Sequence, residues 1–157
     1  MQKFGNIEVL TGSCNLSTIL DGRGGIFTWP LRVPMVEMNL IYYQPNKVRG
    51  NHYHPEFDEF YLIVEGSGAL VTKDPVDGSN LVMHGSKGTC LWVPKNTSHA
   101  FHPITQATAI SMISKPWDEC DDPIIHEHLV PYDEQYVKYA DEQGFKYSIE
   151  EKKKPKK

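Results

Sequence analysis

The sequence lacks any long apolar run. Its longest unbroken stretch of aliphatic and aromatic residues is Phe60-Tyr61-Leu62-Ile63-Val64. A membrane helix needs about 20 such residues, so no spanning helix and no membrane partner are expected. Cysteine is scarce too: Cys14, Cys90 and Cys120 are odd in number, far apart, and never form a Cys-x-x-Cys pair. Neither a disulfide framework nor a thiolate zinc site is signalled, and reduced structural thiols are expected, with Cys90 in an apolar stretch of the core. Positive charge is in deficit. There are 16 Lys and Arg against 20 Asp and Glu, for a formal net charge of −4. Five of the lysines crowd into residues 150–157, so the first 149 residues carry 11 basic against 18 acidic side chains. An acidic body offers no surface for a phosphate backbone, so nucleic acid is not an expected partner. The lysine-rich end reads as a disordered, solvated tail. The opening Met1-Gln2-Lys3-Phe4 lacks the basic-then-apolar order of a secretion signal, and a cytoplasmic location is expected.

What is present suits one domain. The chain has 157 residues, 39% of them hydrophobic, enough for a packed core. Apolar or β-branched stretches over 33–43, 59–64, 68–73, 79–83, 88–93 and 107–113 alternate with turn clusters such as Glu65-Gly66-Ser67-Gly68 and Asp74-Pro75-Val76-Asp77-Gly78. Short strands at this spacing predict an all-β antiparallel sandwich or barrel. Helical periodicity comes late: Tyr132, Tyr136, Val137 and Ala140 share one face, with Pro131 suited to a first turn and Gly144 to a stop. A short C-terminal helix over 131–143 is expected, preceded by a polar surface excursion over 117–130.

All seven histidines fall between positions 52 and 128. His52 and His54 are two apart, which on a strand puts both imidazoles on one face. Glu59 heads the next apolar strand, and His99 follows Pro94 and Asn96 at the end of another. Three imidazoles and one carboxylate make a common ligand set for a divalent transition metal: zinc, manganese, nickel, iron or cobalt. Such a set leaves positions open for substrate.

The segment from Gly50-Asn51-His52-Tyr53-His54 through Glu59 to Gly66 resembles the first sequence motif of the cupin superfamily. The segment from Gly88 through Pro94 and Asn96 to His99 resembles the second, with Asn96 where the family has glycine. Asn tolerates the left-handed backbone that such a turn needs. The resemblance covers residues 35–113. It implies a cupin-like double-stranded β-helix, or jelly-roll barrel, with one open mouth, and it implies His52, His54, Glu59 and His99 as ligands of one metal. It also implies a homodimer joined through N-terminal strands. On this basis the chain divides into 1–30, an N-terminal strand segment packing on the barrel or on a dimer partner; 31–115, the barrel; 116–149, the excursion and helix; and 150–157, the tail.

A weaker resemblance concerns function. Asp21-Gly22-Arg23-Gly24-Gly25 and the Arg49-Gly50 before the histidine pair look like the cupin-type sugar-nucleotide isomerases and epimerases. This implies an enzyme that isomerises or epimerises a small sugar-like hydroxy-carbonyl substrate. Tyr61, on the same strand face as Glu59, and His102 are the nominees for proton transfer, and Arg49 is the nominee for holding an anionic group. By simple strand alternation His102 falls on the face opposite His99. The alternatives are a non-haem iron oxygenase using the same four ligands, and a non-catalytic ligand-binding barrel. His84 is expected at a hairpin tip, and His126 and His128 on a surface segment.

Overall fold

Thirteen short strands carry the fold in the computed structural model, which describes residues 2–10 and 19–131. They are β1 (Gln2–Phe4), β2 (Ile7–Leu10), β3 (Ile19–Asp21), β4 (Gly24–Ile26), β5 (Glu37–Tyr43), β6 (Arg49–Tyr53), β7 (Glu59–Glu65), β8 (Ser67–Lys73), β9 (Asn80–Ser86), β10 (Cys90–Val93), β11 (His99–Pro103), β12 (Ala107–Ile113) and β13 (Ile125–His126). One 3-10 turn spans Trp117–Glu119. One sheet runs β1-β2-β10-β7-β12-β5, and the facing one β13-β6-β11-β8-β9; β3 and β4 form a separate two-stranded ribbon. All pairings are antiparallel. This is the expected all-β, cupin-like architecture. The expected helix over 131–143 lies, but for Pro131, outside the described residues, as does the lysine tail. Among the described residues no helix is long and apolar enough to cross a membrane.

Strand alternation decides what faces inward. Along β12, Ala107, Ala109, Ser111 and Ile113 are buried while the residues between them are half-buried. Along β5, Tyr43 is buried, whereas Met38, Leu40 and Tyr42 are exposed. The interior fills with Ile7, Ile63, Leu70, Leu91, Val93 and Phe101, contributed by both sheets. Burying each such side chain stabilises the fold by about 2 kcal/mol. Between β7 and β8, Gly66 holds φ at 85°, and a Cβ there would lie 2.3 Å from the Gln106 carbonyl oxygen. The motif glycine is therefore required by backbone proximity as well as by the turn.

Two expectations need correction. The polar segment 117–130 is a surface excursion only at its start, where Trp117, Asp118 and Glu119 are exposed. It folds back as β13 along β6, and Leu129 is buried against Val48, Val71 and Ala100. His84 is not at a hairpin tip but inside β9, opposite Ala69, though its side chain is exposed. The strands that hold the histidines, β6 and β11, were illegible as apolar runs because their residues are mostly polar or small.

Candidate metal centre and cavity

The site begins with a kink in β6. His52 pairs with His99, but the next pair is Gly50 with Ala100, so Asn51 is an extra residue and the register shifts. Gly50 and Asn51 both hold positive φ, 99° and 57°. A Cβ on Gly50 would lie 2.8 Å from the Ala100 Cα and from the His99 carbonyl oxygen. The bulge re-aims the strand. Arg49 and His52, three residues apart, both line the cavity as a result. The turn into β11 uses Asn96 at φ 64°, the left-handed residue expected where the family has glycine, and its N–H donates to the His54 carbonyl oxygen at 2.9 Å.

His52, His54 and His99 converge, with one nitrogen of each within 4.8 Å of the others. Their ring centroids stand 4.7, 4.8 and 5.2 Å apart. His54 Nδ1 donates to the Pro123 carbonyl oxygen at 2.9 Å, and His99 Nδ1 to the Thr97 carbonyl oxygen at 2.9 Å. A nitrogen facing a carbonyl must carry the hydrogen, so when either ring is neutral its Nε2 presents a lone pair to the cavity. Those two Nε2 atoms stand 3.7 and 3.4 Å from Glu59 Oε1. Ser111 donates its hydroxyl hydrogen to the other carboxylate oxygen, which leaves Oε1 turned to the imidazoles. The His54 ring is also stacked on Phe57 at 4.4 Å, which fixes its plane.

Electrostatics favour the metal-ready form. Burial, and then the neighbouring His99, His54 and His126 rings, hold His52 well below the usual histidine value. Burial also lowers His99, against an opposing pull from Glu59. For Glu59, burial by itself would raise the carboxyl, but His54, His99 and Ser111 outweigh it and hold it at about 2. Where the imidazoles are neutral, the Glu59 carboxylate faces imidazole lone pairs, acceptors facing acceptors, an arrangement that a cation between them satisfies. The buried His54 Nε2 has no hydrogen-bond partner, as such a ligand atom should not. The donor set therefore fits a divalent transition metal.

The cluster opens into a cavity of about 690 Å³ between the sheets, large enough for a small organic ligand. Its walls are mainly apolar. Of the residues nominated for proton transfer and anion binding, Tyr61 and Arg49 line it and His102 does not. His102 points to the other side of β11, where its Nε2 meets Asn46 Oδ1 at 3.2 Å. The register shift between His99 and Ala100 does not return it to the cavity. Tyr61 reaches the cavity, but burial, with Tyr43 beside it, pushes its phenol well above the ordinary tyrosine value. A phenol held neutral in this way donates hydrogen bonds or a proton and is no base near neutral pH.

One cavity residue went unrecognised. His126 stands opposite His52 across the β13–β6 pair and lines the cavity, although it was expected at the surface. Its segment is polar, and no offset tied it to the motif histidines. The available signal was its strand-like spacing from His128.

No family model matches the sequence, and no curated protein matches it either. Solved structures do match. A 3,4-ketoisomerase from Helicobacter canadensis is 17% identical with a TM-score of 0.64, covering 76% of this chain and 90% of its own. The TDP-quinovose 3,4-ketoisomerase from Campylobacter jejuni is 19% identical with a TM-score of 0.64, over 78% and 93%. The dTDP-4-dehydrorhamnose 3,5-epimerase from Sulfolobus tokodaii is 16% identical with a TM-score of 0.58, over 76% and 81%. At these identities the likeness carries the fold.

Proposed function

We propose that this chain is a divalent-metal-binding enzyme that isomerises or epimerises a sugar-like hydroxy-carbonyl compound. The observation that carries the reading is the meeting of His54 Nε2, His99 Nε2 and Glu59 Oε1, with His52 beside them, at the wall of a ligand-sized cavity. The structurally similar proteins named for sugar ketoisomerisation and epimerisation support the reaction class. A metal held by His52, His54, Glu59 and His99 would supply a Lewis acid beside a carbonyl oxygen.

The chain's own residues would do the rest. Both reactions remove a proton from the carbon next to the carbonyl. The proton then returns to a neighbouring carbon or to the opposite face of the same one. His126 lines the cavity without belonging to the converging cluster, and would carry that proton. Tyr61, kept neutral by burial, would donate to a substrate oxygen. Arg49, exposed where it lines the cavity, would hold a phosphate or carboxylate of the substrate. A homodimeric state and a cytoplasmic location belong to the same reading.

Elemental analysis of protein purified without an affinity tag should find about one equivalent of a divalent transition metal. Candidate keto sugars, free and nucleotide-linked, should gain deuterium beside the carbonyl when incubated with it in deuterated water. A metal-replete protein that washes in no deuterium, yet consumes oxygen when loaded with ferrous iron, would overturn the isomerase reading in favour of an oxygenase.

A further inference from the structure

We infer that Asn51 is a positioning residue: by fastening the segment 123–130 to β6, it sets which nitrogen of His54 faces the cavity. The inference rests on the proposed role of His54 as a metal ligand.

Asn51 is 1% exposed and is the extra residue of the β6 bulge. A bulged residue leaves the normal alternation of its strand, and this one uses that freedom to grip a segment almost 80 positions later. Its Nδ2 donates to the Val130 carbonyl oxygen at 2.7 Å. Its Oδ1 accepts from the N–H groups of Leu129 and Val130, both at 2.9 Å. Its backbone carbonyl accepts from the Glu127 N–H at 2.7 Å. These four bonds lay the segment antiparallel along β6, with His126 opposite His52 and Ile125 opposite Tyr53. Two residues earlier, Pro123 reaches His54. Proline has no N–H, so its backbone can present His54 only with an acceptor. Nδ1 must therefore carry the hydrogen, and in the neutral ring the lone pair belongs to Nε2, the nitrogen turned toward Glu59.

Other bonds hold the same segment. Asp122 N–H donates to the Glu56 carboxylate, and Asn80 Nδ2 donates to the Leu129 carbonyl oxygen at 2.9 Å. Asn51 differs from them because it also sits at the kink next to His52. The clamp and the ligand strand are thus one piece of backbone.

The test uses Asn51→Gly, since glycine accepts the left-handed conformation and removes only the side-chain grip. Asn80→Ala, which removes one bond to the same segment, is the control. Zinc affinity by competition with a chromophoric chelator, and the His54 tautomer by long-range nitrogen–proton NMR of the metal-free protein, are the readouts. We expect the wild-type His54 to be the Nδ1–H tautomer. Asn51→Gly should show a mixture of tautomers and a 10–100-fold weaker zinc affinity, the loss expected when the Pro123 carbonyl no longer holds His54. Asn80→Ala should change neither readout more than about twofold. An Nε2–H tautomer in the wild type, or an unchanged tautomer in Asn51→Gly, would overturn the inference. A wild type with the expected tautomer that binds no zinc would overturn the metal reading and leave the positioning role of Asn51 standing.

Discussion

The hydroxyls of Tyr43 and Tyr61 meet 2.7 Å apart inside the barrel, although they stand on β5 and β7, which do not pair. Strand β12 lies between them, and its inward residues Ala107, Ala109 and Ser111 are small enough for the two rings to meet across it. Each buried phenol satisfies the other. Tyr61→Phe should therefore destabilise the protein by about 1–3 kcal/mol, because the Tyr43 hydroxyl is left buried without its partner. The double change to Phe should cost less than the sum of the two single changes. Urea unfolding of the three variants measures this directly, and strict additivity would show that the two hydroxyls do not depend on each other.

How much of this was legible beforehand depended on whether a residue's role is local. β7 and β12 read clearly because alternation and apolar content agree along them. Glu59 and His99 could be placed because their offsets from Gly66 and Pro94 are short. The alignment of Tyr61 with Glu59 followed from parity alone. What could not be read was anything set by a break in parity or by a distant segment. The bulge at Asn51 changes which residues of β6 face inward, yet in the sequence it is only an adjacent Gly50-Asn51. The return of 123–130 onto β6 is written in hydrogen bonds from Asn51 and Asn80 rather than in an apolar stripe. A polar segment held by buried amides looks like a surface loop, and His126 and Pro123 were missed with it.

Acid should weaken the metal-free protein earlier than its surface charges would suggest. His52 and His99 are held below their ordinary value of 6.5, so the unfolded chain takes up protons that the folded one refuses. Stability is therefore fully present above about pH 6.5 and falls as the pH drops below it. Glu59, held at about 2 against an ordinary 4.5, acts in the same direction, with its contribution lost between those values. Urea midpoints measured in chelator from pH 7.5 to pH 5 should decline steadily, and His52→Gln should flatten the decline. A midpoint independent of pH over that range would mean that the imidazoles are not held neutral by burial.

Gly50 has no room for a side chain. Its φ of 99° disfavours any L residue, and a Cβ would strike backbone atoms of His99 and Ala100, which cannot swing aside. Gly50→Ala should destabilise the fold by roughly 2–4 kcal/mol, above the usual range for a surface substitution. It should also weaken metal binding, because the atoms it displaces carry His99. Gly88→Ala serves as the comparison: it too has positive φ, at 91°, but nothing lies within 4 Å of the added carbon. It should cost only the backbone strain, about 1 kcal/mol. Equal losses at the two positions, measured by thermal and urea unfolding, would show that the close approach to β11 does not matter.

The outer edge of the β5 sheet predicts self-association. No described strand pairs with that edge. Its outward side chains Met38, Leu40 and Tyr42 are 67%, 57% and 66% exposed, and Val36 beside them is 55% exposed. An unpaired edge with a contiguous apolar face is a template for another strand. A second copy of β5 laid antiparallel across a two-fold axis satisfies it with the same residues on both sides. Light scattering on the eluting protein should give twice the chain mass of 17.9 kDa. Leu40→Asp combined with Tyr42→Asp should return it to a monomer with an unchanged far-ultraviolet spectrum, since neither side chain contributes to the interior. A wild type that stays monomeric up to hundreds of micromolar would remove the dimer from the proposal. A dimer that survives both aspartates would move its interface away from β5, toward the β3–β4 ribbon where Ile26 and the adjoining Phe27 are also exposed.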